Sequence, residues 1–263
     1  MAKKKNKTPL TTQSHKERLR QQQEEARRKA ARIRRSVVGA AIVLAVVLVV
    51  VFIFVAVGQG EKNDLLNSVT PPDANSEKTA IQVAPAKAKA DAPKVVSYFD
   101  YQCSGCIALE AAIGTQLFAL ADNGDIDLQL HPMTFQDSND NNQASTRASV
   151  AAACADDAGG NEIYQKYHQG IFANSKGEGL SDELLRSTIP ATAGLTGDPL
   201  TKFEQCYDGR FTQGFASGMN EAAFKEGVGS TPTISVNGKL YSGNDLGTIT
   251  SGDLLTWFTT HAE

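Results

Sequence analysis

Histidine is scarce in this chain of 263 residues, and none of the four (His15, His131, His168, His261) stands at metal-ligand spacing from another. A histidine-based metal centre is therefore not expected. The chain has no glycine-rich phosphate loop and no Gly-x-Ser-x-Gly element, so it offers no motif for nucleotide binding or serine hydrolysis. No cofactor is implied. Cysteine is absent from the first 102 residues, and the four that exist (Cys103, Cys106, Cys154, Cys206) all fall later. Basic charge is thin beyond residue 36: residues 37–263 carry 13 Lys and Arg against 26 Asp and Glu, a net of −13. Residues 1–36 carry 13 against 3, a net of +10, and the two halves sum to −3. That asymmetry places the two ends in different surroundings.

Between them lies a stretch lacking any charge. Val37 to Val57 is 21 residues without a strongly polar side chain, and as a helix it spans roughly 31 Å, the thickness of a bilayer's hydrocarbon core. A cleaved signal peptide is the alternative. The run exceeds the roughly 7–15 residues of a signal's apolar core and follows a long basic segment, which favours a retained anchor. The cluster Arg27 to Arg35 abuts its N-terminal end, so the basic tail is expected in the cytoplasm and everything after Val57 outside. The tail reads as a solvated segment near anionic lipid; a nucleic-acid role is not expected. Residues 58–93, with Pro71, Pro72, Pro85 and Pro93 among small and polar residues, read as a flexible linker to which Ile81-Gln82-Val83 adds at most an edge strand.

The folded part is expected over 94–263. Val95 to Phe99 reads as a buried strand, and Ile107 to Ala121, rich in Ala and Leu, as a helix. Cys103-Ser104-Gly105-Cys106 sits where that strand hands over to the helix N-terminus. Backbone N–H groups there lack intrahelical partners, and the helix dipole favours a negative charge, so a thiolate at Cys103 is stabilised. A lone Cys-x-x-Cys also serves as half a zinc site or as structural cysteines, and a site ligated by all four cysteines is a further alternative; the strand-to-helix setting favours redox chemistry. If Cys103 pairs with Cys106, then Cys154 is left for Cys206. Outside the membrane, such bonds persist.

Ile126 to Leu130 alternates as a second strand, and a strand–helix–strand unit points to a parallel pair. A helical region follows: Asn139 to Ala155, Glu162 to Phe172, Ser181 to Thr188, Pro199 to Tyr207 and Arg210 to Lys225. Tyr164, Tyr167 and Phe172 read as its core face. Thr233 to Val236 and Lys239 to Tyr241 flank Asn237-Gly238, a strong hairpin signal. A last helix, Ser251 to His261, is expected to bury Leu254, Leu255, Trp257 and Phe258.

This order, with Phe99-Asp100-Tyr101-Gln102-Cys103-Ser104-Gly105-Cys106 and the later Gly229-Ser230-Thr231-Pro232-Thr233, resembles a thioredoxin fold with a helical insertion, about 139–210, as in DsbA-like thiol–disulfide oxidoreductases. With the apolar run ahead of it, the chain is similar to the membrane-tethered disulfide oxidases of actinobacteria. The resemblance implies an α/β domain preceded by one transmembrane helix. It makes Cys103 the exposed nucleophile and Cys106 the buried resolving thiol, with Thr231 and a cis Pro232 as the substrate-facing wall. Tyr101 is expected in that groove wall and Phe99 in the core. Two departures stand out: Ser104-Gly105 lacks the histidine of many strong oxidants, and Ser97 occupies the position, six before the nucleophile, where relatives often bury an acid. Asp100 and Glu110 are the candidates for relaying the Cys106 proton.

The resemblance implies an enzyme that donates its disulfide to reduced secreted proteins and is reoxidised by a membrane partner of the DsbB or vitamin K epoxide reductase type. The alternatives are a thiol reductase or isomerase, motivated by the missing histidine, and a non-catalytic binding module.

Overall fold

The computed structural model describes residues 69–176, 179–249 and 251–262; the expected tail, the expected anchor and residues 58–68 lie outside the described residues. The first strand, β1 (Ile81–Val83), forms because Ile81 and Val83 bury one face, 1% and 2% exposed. The segment around it is built into the domain rather than being the expected linker. Val69 N–H donates to the Phe211 carbonyl at 2.6 Å, Asp73 N–H to the Asp156 carboxylate at 3.1 Å, and the Asn75 side chain to Gln129 at 3.1 Å. Its prolines and polar residues mimic a linker, yet those polar groups are spent on specific long-range hydrogen bonds. The folded domain therefore starts at least as early as Val69, not at 94.

Next come β2 (Lys94–Phe99), α1 (Ser104–Asp122) and β3 (Asp127–Pro132), the expected strand–helix–strand unit with its strands paired in parallel. β2 is central: Val95 pairs with Leu128 of β3 on one side and with Val236 on the other. Its alternating residues serve two cores. Val95 and Phe99 join the main core, while Val96 and Tyr98 face a smaller cluster with Met133, Ala223 and Val228. Both faces are covered, which is why the strand reads as a continuous apolar run. Among the described residues, α1 is the one helix long and apolar enough to cross a membrane, but Ile113, Leu117, Phe118 and Leu120 are buried in the main core.

The helical region is α2 (Ala144–Asn174), a π-helical turn (Leu184–Thr188), α3 (Ile189–Ala193), α4 (Gly197–Asp208) and α5 (Gln213–Lys225). Two expected helices, 139–155 and 162–172, are one element with a break at Gly160, whose φ of 72° and ψ of −168° only glycine adopts readily. Tyr164, Tyr167 and Phe172 do line its buried face. Cys154 on α2 and Cys206 on α4 form a disulfide, their Cα atoms 5.7 Å apart.

The chain returns through β4 (Thr233–Val236) and β5 (Lys239–Ser242), giving a sheet ordered β1-β3-β2-β4-β5. Asn237 and Gly238 both have positive φ, 48° and 88°, as a two-residue type I′ turn requires. The final helix, α6 (Leu254–His261), buries Leu254 and Phe258. Leu255 is exposed instead of buried, because Leu254 and Phe258, four apart, take the inward stripe of a two-turn helix. Trp257 is half-buried and stacks on His261, ring centroids 4.1 Å apart.

Candidate active site

The end of β2 sets the position of both early cysteines. Phe99 is the last paired residue, and the next three make a turn in which Cys103 N–H donates to the Asp100 carbonyl at 3.0 Å. Asp100 holds this turn. It is fully buried, and one carboxylate oxygen accepts from Gln102 N–H at 2.8 Å and from the Ser145 hydroxyl at 2.6 Å. The other oxygen accepts from Gln136 N–H at 2.9 Å. Burial still pushes its carboxyl above the usual carboxylate range, with those hydrogen bonds acting in the opposite direction. Asp100 is thus a brace that ties the cysteine turn to the loop before α2 and to its first turn.

Cys103 is the N-cap residue of α1, with extended backbone, and its sulfur is half-buried. Cys106 lies inside the first turn, 1% exposed, and its sulfur accepts from Asp100 N–H at 3.4 Å. Both thiols are free. The Cys103 pKa is lowered from 9.0 to about 5, first by a hydrogen bond from the Cys106 thiol, then by the N–H groups of Cys106 and Gly105 and a hydrogen bond from the Thr231 side chain, against a cost from partial burial. The same pairing and its own burial push the Cys106 thiol far up. One sulfur is therefore an anion at neutral pH and the other a proton carrier. No side-chain cation takes part, so the whole effect comes from hydrogen bonds at the helix end.

Opposite stands the segment before β4. The Thr231–Pro232 peptide is cis, and the Thr231 carbonyl lies 3.4 Å from the Cys103 sulfur, which donates to it when protonated. Pro232 packs on the cysteine turn so closely that a Cβ at Gly105 would meet its Cδ at 3.1 Å. Sequence reading placed Cys103, Cys106, Thr231 and Pro232 at one site, and the structure brings these four together. Tyr101 is a correction. Its ring is 0% exposed, packed among Phe99, Phe172 and His168, and its hydroxyl is 3.1 Å from His168 Nδ1, so it is core and not groove wall. The turn after β2 folds the ring inward, a reversal no strand periodicity announces.

Two residues gain a place that sequence reading gave them weakly or not at all. Glu110, one turn after Cys106, borders the space around that thiol. His168 of α2 lies behind it, Nε2 3.6 Å from Glu110 Oε1. The first was legible from i,i+4 spacing; the second, 62 positions from Cys106, carried no local signal. Among the described residues no three His, Cys, Asp or Glu side chains converge as a metal site would need.

Comparison with known proteins gives a consistent answer. The family model described as thioredoxin matches residues 86–249, more than half of the chain. No curated protein sequence matches. Solved structures with the same fold include MdbA, a thiol-disulfide oxidoreductase from Corynebacterium diphtheriae, at 23% identity and a TM-score of 0.57, covering 74% of this chain and 94% of that one. MdbA from Actinomyces oris is 20% identical with a TM-score of 0.58, covering 72% and 96%. Reduced DsbA from Mycobacterium tuberculosis is 20% identical with a TM-score of 0.52, covering 70% and 99%.

Proposed function

This chain belongs to the thioredoxin family, and from that premise we propose that it is a thiol–disulfide oxidoreductase that donates the Cys103–Cys106 disulfide to reduced secreted proteins. The observation that carries the reading is the stabilised Cys103 thiolate facing the Thr231–Pro232 segment. A substrate thiolate attacks the Cys103 sulfur, the bond to Cys106 breaks, and a mixed disulfide forms. A second substrate thiolate then attacks the substrate sulfur and releases Cys103 as a thiolate. The more that leaving thiolate is stabilised, the more the reduced enzyme is favoured and the stronger an oxidant the disulfide is. Thr231 offers backbone beside the reacting sulfur, where an extended substrate segment pairs as an added strand, and Pro232 forms the wall behind it.

Residues 37–57 anchor the domain on the outer side of the membrane, with the basic tail inside; their length and the flanking arginines support this. Reoxidation then falls to a membrane protein of the DsbB or vitamin K epoxide reductase type. Replacing Cys106 by Ala removes the resolving thiol, so secreted proteins should accumulate as mixed disulfides on Cys103, visible as reducible adducts on gels. A folded Cys106→Ala chain without adducts overturns the reading.

One observation favours a second direction of electron flow. Ser104-Gly105 supplies no cation to the thiolate, which lowers oxidising power relative to a histidine-bearing site. A reduction potential near roughly −120 mV supports the donor, whereas one near roughly −270 mV makes the protein a reductase or isomerase. Inertness in both oxidation and insulin reduction leaves a binding module.

A further inference from the structure

Three arginines meet at a cavity that the cysteine chemistry does not use. It has a volume of about 280 Å³ and is lined by Arg147, Arg186 and Arg210, together with Asp182, Tyr207 and Asp208. Arg147 comes from α2, Arg186 from the π-helical turn, and Arg210 follows the end of α4.

Arg147 is 7% exposed. Its Nε donates to the Asn142 carbonyl at 2.8 Å, Nη1 to Asp182 at 2.8 Å and Nη2 to the Leu180 carbonyl at 2.6 Å. Arg186 grips Asp208 with Nε and Nη2, at 2.8 and 3.0 Å, and reaches Glu204, outside the lining, with Nη1 at 3.1 Å. A guanidinium carries five N–H groups, so each of these two keeps two unspent. Both aspartates of the lining are served already. Asp208 is held by Arg186, and Asp182 by Arg147 and by the Tyr207 hydroxyl at 2.6 Å. The Tyr207 hydrogen bond first, then Arg147 and the charge of Arg210, hold the Asp182 carboxyl below the usual carboxylate range against the cost of burial. Arg210 differs from the other two: among the described residues it makes no ion pair and no side-chain hydrogen bond, so all five of its N–H groups are open. The lining therefore sets three cations against two paired carboxylates, a surplus of one positive charge.

The backbone at Arg210 adds a second observation. Arg210 N–H donates to the Tyr207 carbonyl at 3.1 Å and Phe211 N–H to the Cys206 carbonyl at 3.0 Å, the pair of bonds that closes a helix through a left-handed residue. Glycine is the usual occupant of that position. Here Gly209 stands one place too early, with φ of −81°, and Arg210 takes the left-handed place, with φ of 51°. A cation beyond a helix C-terminus suits the dipole, but an arginine within the last turn would do so without the strained backbone. Strain kept at the wall of a cavity points to a ligand.

We propose that this cavity binds a singly charged phosphodiester, whose oxygens take the open N–H groups of Arg210, Arg147 and Arg186. One negative charge matches the surplus. Guanidiniums arriving from three elements surround a tetrahedral anion, whereas a planar carboxylate is satisfied by a single fork. Two sources carry this chemistry, the headgroup of an anionic lipid and a free phosphodiester. The site stands apart from the thiol–disulfide reading and does not depend on it.

The test titrates the full chain, in neutral detergent at fixed ionic strength, with glycerophosphoglycerol, the headgroup of phosphatidylglycerol without its acyl chains. Calorimetry should show saturable binding, weakened about tenfold or more in Arg210→Gln and absent when acetate replaces the diester. Arg210→Gly should lose the same affinity yet unfold at a higher urea concentration, because glycine relieves the left-handed backbone. No saturable heat, equal affinity for acetate, or an Arg210→Gln affinity within about twofold of wild type overturns the inference. An Arg210→Gly chain that unfolds earlier and binds unchanged makes Arg210 a structural cap and overturns it too. The same titration in nanodiscs separates the sources. A weaker apparent affinity in phosphatidylglycerol discs than in phosphatidylcholine discs supports lipid in the site, and equal affinities support the free phosphodiester. That arm alone rests on the anchor reading. A chain that nanodiscs do not retain sinks the anchor, while the detergent titration still decides the site.

Discussion

At the scale of single residues, the chemistry is set by where one proton sits between two sulfurs. Cys106 gives its hydrogen bond to Cys103, and the open N–H groups of the first turn of α1 add to it, so Cys103 ionises near pH 5 rather than 9. The reduced domain should show a thiolate absorbance at 240 nm with a midpoint near 5 that is missing in Cys103→Ser; a midpoint near 9 would refute the arrangement. The depressed value also sets a sign. Between about 5 and 9 the folded reduced protein has released a proton that the unfolded chain keeps, so the reduced form gains stability as pH rises through this window. The gain is complete above 9 and lost as pH falls through 5. The oxidised form has no such proton, so urea unfolding of the two forms should show the gap in favour of the reduced form widening across that range.

At the scale of elements, the Cys154–Cys206 bond ties α2 to α4 across 52 residues. Closing a loop of that length in the unfolded chain is worth roughly 4 kcal/mol in the chain-entropy model. Both sulfurs are buried, and neither belongs to the Cys103 site. Replacing both cysteines with Ser should therefore lower the urea-unfolding stability by about that amount while reaction at Cys103 persists; a loss under about 1 kcal/mol would mean that the bond constrains little. The helical region's boundaries were harder to read than its existence. The Ala-rich run and the Tyr164, Tyr167, Phe172 stripe announce helices, but whether Gly159-Gly160 ends one helix or merely bends it depends on packing across the break.

At the scale of the whole molecule, the segment from Val69 to Val83 closes the domain by running over α2 and adding β1 to the sheet. Its anchor is Asp156, fully buried, which accepts from Asp73 N–H and keeps one oxygen without a partner among the described residues. Burial and the neighbouring Asp73 carboxyl push the Asp156 pKa well up. The sign follows directly: its contribution to stability is full below the ordinary carboxylate range, near 4, and is lost as pH rises through the raised value, because the folded protein must then bury a charge. Asp156→Asn should be increasingly favourable relative to wild type as pH rises above that range, then level off. A difference independent of pH, measured by urea unfolding from pH 4 to 9, would refute the buried pair.

What the amino-acid order determined alone was everything carried by neighbours in the chain. The strand before the cysteines, the helix after them and the Asn237-Gly238 turn follow from periodicity and from backbone conformations that few residues adopt. The meeting of Cys103 with the Thr231–Pro232 segment, 128 positions later, was legible only through the family resemblance of the two motifs. Tertiary structure alone decided the rest: that Tyr101 turns into the core, that the proline-bearing stretch from Val69, beyond the edge strand offered at Ile81–Val83, is tied into the domain by long-range hydrogen bonds, and that His168 stands behind Glu110. The reason is physical. Local sequence governs dihedral preference and which face of an element is apolar, whereas the partner of a buried polar group is chosen by packing between elements far apart in the chain.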